Sequence, residues 1–116
     1  MTYKKIRVDI YGRNVWITRD IETAKGLVWK KCGHRVTDDD FACKGFTADG
    51  FGNNVVWLHE DSLAVTLAHE MAHVALNIFR TIGAVVDTNN QEPTAYLIGF
   101  LVGEALRWLE DQNGDS

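Results

Sequence analysis

Proline is almost missing from this chain: Pro93 is the one proline in 116 residues. With no repeat and no low-complexity tract either, nothing reads as an interdomain linker, and the chain is expected to form one unit, residues 1–116. Cysteine is nearly as scarce. Cys32 and Cys43, with ten residues between them, form neither a CxxC redox pair nor half of a zinc ribbon, and two thiols are too few for a disulfide scaffold. They read as reduced thiols in a cytosol. Basic runs are also lacking. The twelve Lys and Arg are scattered, the longest runs being the pairs Lys4-Lys5 and Lys30-Lys31, and the net charge is −4, so no nucleic-acid partner is expected. No stretch approaches the roughly 18 apolar residues of a membrane span, and the opening MTYKKIRVDIYG has no apolar core of a secretory signal. The expectation is a cytoplasmic protein with no membrane partner.

What the chain does have is apolar content for one core, 46% hydrophobic with four tryptophans. Lys5 to Tyr11 and Asn14 to Thr18, rich in β-branched and aromatic residues around Gly12-Arg13, predict a hairpin. Thr18 or Asp20 can cap a helix running to about Lys31 and stopped by Gly33. The polar stretch that follows carries Asp38, Asp39 and Asp40, which could bind a hard cation but read as a solvated loop. Phe41 to Thr47 and Asn54 to His59 predict two more strands, joined through Asp49 to Asn53. A helix follows from Asp61 or Ser62 to Ile82, with Gly83 as its stop, and a last helix spans about Gln91 to Glu110, with Pro93 in its first turn. The order predicts an α+β fold: a sheet and helix in 1–60, a helix in 61–83 and a helix in 91–110, packed on a small, mostly antiparallel sheet.

The stretch Thr66 to Asn77, TLAHEMAHVALN, concentrates the chemistry. Residues four apart in a helix lie one turn above each other, so His69 and His73 present two imidazoles suited to two corners of a tetrahedral zinc site. Glu70, about 100° further round, is poorly placed as a ligand but can reach a water in an open metal position and act as general base. Leu63, Leu67, Met71, Val74 and Ile78 follow helical spacing and define the core stripe. Ser62, Thr66, His69, His73 and Arg80 lie on a different, more polar face. The alternative, that HEMAH arises by chance on a buried helix, remains open on the motif alone.

A catalytic zinc usually has three protein ligands. No third histidine follows His73: Leu76, Asn77 and Phe79 occupy the positions where longer histidine motifs would continue. His34 and His59 read as ordinary surface or strand-end histidines. A carboxylate on the final helix remains, and Glu92 is better placed than Glu104 or Glu110, because the loop between the helices can bring it back. Tyr96, Gly99 and Gly103 share its face, and two glycines four apart would allow the HEMAH helix close. Tyr96 could then donate to the oxyanion of hydrolysis, or be a core aromatic with a tied hydroxyl. Glu92 could equally be an acid favoured by the helix N-terminus.

LAHEMAHVALN followed by QEPTAYLIGFLVGEAL resembles the gluzincin arrangement, in which HExxH is completed by a glutamate on the next helix. More narrowly it is similar to small zincin-like proteins of bacteriophages, with an acidic helix of the form NxExxAYLxGxL. The likeness covers about residues 54–108. It implies a minimal zincin-like fold and a zinc-dependent metallopeptidase, with Zn2+ held by His69, His73 and Glu92, and Glu70 and Tyr96 as catalytic residues acting on a peptide or protein substrate. It also implies an edge strand that aligns substrate, for which VVWLH at 55–59 is the matching segment. Thermolysin-type members carry a second lobe over the cleft, which has no counterpart in these 116 residues. A protein partner could complete the cleft, or the chain could be a binding or structural accessory that cleaves nothing.

Overall fold

Period-two alternation decides which face of the sheet each side chain takes. The computed structural model describes residues 2–62 and 64–114, the last two of these by backbone alone. Its strands are β1 (Tyr3–Val8), β2 (Arg13–Thr18), β3 (Gly45–Gly50) and β4 (Asn53–Leu58), joined in the order β1-β2-β4-β3. β1 and β2 are antiparallel, as are β3 and β4, whereas β2 and β4 run parallel. The sheet is therefore mixed. A parallel pair needs a crossover, and α1 (Ile21–Leu27) lies within it.

Two faces give two cores. Trp16, Ala48 and Val55 turn toward α1 and the π turn Val28–Cys32 that prolongs it. Ile6, Val8, Val15, Ile17, Val56 and Leu58 turn the other way, onto α2 (Ala64–Ile82) and α3 (Glu92–Gly114). The chain is a small α+β fold. No helix among the described residues is long and apolar enough to cross a membrane.

Local chemistry explains the boundaries. Asp20, not Thr18, caps α1: its carboxylate accepts from the Thr23 N–H at 2.9 Å and hydroxyl at 2.7 Å, which holds its pKa below the usual value. Gly33 closes this segment and Gly83 closes α2, both at φ 77°. The expected strand from Phe41 begins instead at Gly45. Thr37 and Asp40 form a capping box, so Asp38–Phe41 winds into a 3-10 turn and Phe41 packs edge-on against Trp57 at 4.9 Å. Asp38 pairs with Lys25 at 2.5 Å, so two of the three acids are spent on local structure, as a loop requires. The β3–β4 hairpin closes on Phe51 and Gly52, both at positive φ, which the twist of a two-residue turn demands.

Two expectations are corrected by the packing. VVWLH was expected at a sheet edge, but β4 is paired on both sides and the edges are β1 and β3. Gly99 and Gly103 were expected to admit the HEMAH helix, yet a Cβ at either would meet nothing within 4 Å. The close approaches are elsewhere. A Cβ at Gly45 would meet Thr66 Cγ2 at 3.1 Å and Leu58 Cδ2 at 3.2 Å, and one at Gly50 would sit 2.1 Å from the Cys32 carbonyl oxygen. Leu63, expected on the apolar stripe of α2, lies outside the described residues.

Gly50→Ala is expected to lower unfolding free energy by about 3 kcal/mol, since the clashing atom is backbone. Gly103→Ala, open and helical, is expected to raise it by about 0.5–1 kcal/mol. Urea denaturation of the two variants checks both signs. Both cysteines are free. Burial, with Asp49 adding, pushes the Cys32 thiol up to about 11, so a thiol reagent at pH 8 should label exposed Cys43 and reach Cys32 only on unfolding. An acid kept neutral by folding also favours the unfolded state once pH exceeds its ordinary value. Stability should therefore decline between about pH 9 and 11, and Cys32→Ser should flatten that decline.

Candidate metal centre

Helix α2 is held on two sides. Leu67, Met71, Val74 and Ile78 are buried against the sheet side, and Ala75 and Phe79 extend the buried arc toward α3. Of the polar face expected from spacing, His69, His73 and Arg80 are exposed and Ser62 and Thr66 half-buried. Gly45 lets the start of α2 settle onto β3 and β4, so this open flank runs beside the β3 edge.

Three polar ties sew that flank to the sheet. The Thr47 hydroxyl donates to Glu70 Oε1 at 2.8 Å, Asn77 Nδ2 donates to Asn54 Oδ1 at 3.0 Å, and Arg80 pairs with Asp49. Glu70 is only 6% exposed, so its carboxylate is held in place by β3 while the two histidines beside it stay open. Burial of an acid against a hydroxyl donor fixes its direction and leaves Oε2 without a hydrogen-bond partner among the described residues.

His69 and His73 face each other with Nε2 atoms 3.2 Å apart and rings 79° from coplanar. Two imidazoles bonded to one tetrahedral zinc at about 2.0–2.1 Å have nitrogens roughly 3.3 Å apart, so the pair already stands at the spacing of adjacent ligands. A neutral pair could instead share one proton between the two nitrogens. Among the described residues, no cluster of three or more His, Cys, Asp and Glu has metal-holding geometry.

No family model, curated protein or solved structure matches this chain. The placement of each expected residue therefore rests on geometry alone. Glu92 and Tyr96 are not brought to the histidines. They line an apolar groove of about 540 Å³ with Val8, Ile10, Tyr11 and Phe100, on the β1 side of the sheet, and Tyr96 is 79% exposed. β1 and β3 are opposite edges, three strand spacings or roughly 14 Å apart. The physical reason is the side on which α3 docks: it covers the β1 flank of α2, and the histidines occupy the other. Glu104 is tied to Arg107 at 2.7 Å. His59 caps its own turn, its Nδ1 accepting from the Asp61 N–H at 3.1 Å.

Thr47 is the residue that reading the chain missed. The signal was present in the alternation of Gly45, Thr47 and Asp49 against Phe46 and Ala48, which marks a polar strand face, but it required knowing that α2 covers that face. Thr47→Val should destabilise the chain by about 1–3 kcal/mol, because the buried Glu70 carboxylate loses its donor. Combining it with Glu70→Gln should cost less than the sum of the two, measured as a double-mutant cycle by urea denaturation.

Proposed function

We propose that this chain is a small zinc-dependent peptidase of the HExxH type, with His69 and His73 as its own metal ligands and Glu70 as general base. The observation that carries the reading is the 3.2 Å separation of the two Nε2 atoms beside a buried, β3-anchored glutamate. Zinc at this pair would supply Lewis-acid polarisation of a carbonyl and would acidify a water toward a pKa of about 7. Glu70, fixed by Thr47, accepts the proton of the attacking water and returns it to the leaving amine. β3 offers an unpaired strand edge beside the histidines, and an extended peptide pairing there gains backbone hydrogen bonds with modest sequence preference. Remaining metal positions fall to groups from outside α3, and a protein partner completing the cleft is the natural source. The two free thiols suit a reducing, cytoplasmic setting, including that of a host cell for a phage-encoded protein.

A second reading, an accessory module that holds metal and cleaves nothing, is favoured by one observation. Glu92 and Tyr96, the residues expected to complete the catalytic set, sit on the opposite flank. Zinc titration of untagged protein separates the readings from each other and from no metal at all. About one zinc per chain is expected, lost in the His69→Ala/His73→Ala variant and unchanged in Glu92→Gln. Glu70→Gln should keep the metal and lose peptide hydrolysis by on the order of a hundredfold or more. Wild type and Glu70→Gln alike in peptide cleavage would select the accessory module, and absence of zinc from wild type would end both readings.

A further inference from the structure

On the other face of the sheet, two lysines bracket one indole. Lys5, cross-strand from Trp16, places its Nζ 5.6 Å from the ring centroid, and Lys31, at the end of the π turn after α1, places its own at 5.0 Å. Trp16 is 5% exposed, so the ring is a fixed floor that attracts both cations through its π face. Lys30 joins them in lining a cleft of about 490 Å³, together with the hydroxyl-bearing Thr2, Tyr3 and Thr23. Lys5 and the pair Lys30-Lys31, separate in the chain, are thus brought to one place by the fold.

What sets them apart is that three basic side chains without a carboxylate partner line one cleft. Arg7, Lys25, Arg80 and Arg107 all have carboxylates within 4 Å, but among the described residues Lys5, Lys30 and Lys31 have none. Glu22 shares the cleft lining and is paired with Lys25 at 3.5 Å. In a chain with a net charge of −4, three unpaired ammonium groups converge on one concavity. Like charges so gathered are relieved by an anion between them.

We propose that this cleft binds the dianionic phosphate of a small phosphate monoester, with Lys5 and Lys31 engaging it from either side and Lys30 closing the rim. Two or three monovalent cations match a dianion better than a carboxylate. The Thr23 hydroxyl already donates to Asp20 at 2.7 Å, so of the two hydroxyls, 3.0 Å apart, it is Thr2 that can turn its proton toward the phosphate. The volume is that of a small-molecule site. A single-stranded nucleic acid fits less well, because Trp16 is buried and cannot stack a base and the lysines form one cluster instead of a track.

The test is a titration followed by amide and indole NMR shifts, with inorganic phosphate, ribose 5-phosphate, a mononucleotide and a single-stranded oligonucleotide as separate probes. Phosphate-bearing small molecules should shift the Trp16 indole and the residues around Lys31, with affinity falling as salt rises. Lys5→Gln/Lys31→Gln should weaken them roughly tenfold or more, and Lys5→Arg/Lys31→Arg should largely restore them. His69→Ala/His73→Ala should leave them unchanged, which keeps this site independent of the metal centre. Esters binding more tightly than phosphate assign the ligand to a phosphorylated metabolite, and equal binding assigns it to free phosphate. No shift at millimolar probe, shifts indifferent to the glutamine variant while it remains folded, or an oligonucleotide binding far tighter with shifts beyond the cleft would each overturn the proposal.

Discussion

Burying α2 on two sides leaves it one open flank, and the arrangement of the molecule follows from that. Leu67, Met71, Val74 and Ile78 must meet the sheet, while Ala75 and Phe79 must meet neighbours on the α3 side. At 100° per residue, what remains is the arc of His69, His73 and Arg80. That arc lies along β3 because Gly45 has no side chain to hold α2 off and because Thr47, Asn54 and Asp49 each find a polar partner on the helix. The same helix rotation that exposes two imidazoles buries the glutamate between them. Spacing in the sequence and docking of the helix are one constraint seen at two levels.

The consequence for chemistry is a division of labour between flanks. The glutamate beside the histidines is held by β3. Glu92 and Tyr96, on the first turns of α3, belong to the β1 side and the apolar groove there, while Thr94 and Ala95 face the preceding loop. A helical hairpin does not decide this by loop length. The nine residues of loop between Ile82 and α3 allow α3 to dock on either side of α2, and the apolar residues Leu97, Leu101 and Ala105 choose the side away from the histidines.

Elements were legible where local chemistry specifies them. The stop glycines at 33 and 83, the Asp20 cap and the stripe of Leu67, Met71, Val74 and Ile78 follow from short-range rules and fall where those rules put them; the hairpin around Gly12 pairs as expected, but its first strand ends at Val8 because Asp9–Tyr11 winds into a 3-10 turn. What escaped was pairing at a distance. Nothing in VVWLH tells that β4 is covered by both β2 and β3, because a central strand and an edge strand can carry the same apolar run. The late start of β3 depended on the Thr37–Asp40 box, whose side-chain bonds outcompeted the strand propensity of Phe41. The place of Glu92 shows the same limit as VVWLH: proximity along the chain was legible, and the side on which α3 docks was not.

The central claim is that a metal, when present, sits on the β3 flank between His69 and His73 and not in the groove of Glu92. Diffraction from zinc-soaked crystals, with data collected on both sides of the zinc absorption edge, tests this most directly. The account expects one anomalous peak within about 2.0–2.1 Å of both Nε2 atoms, with the Thr47–Glu70 contact retained. A peak bonded to Glu92, or no peak at the histidine pair at saturating zinc, would contradict it.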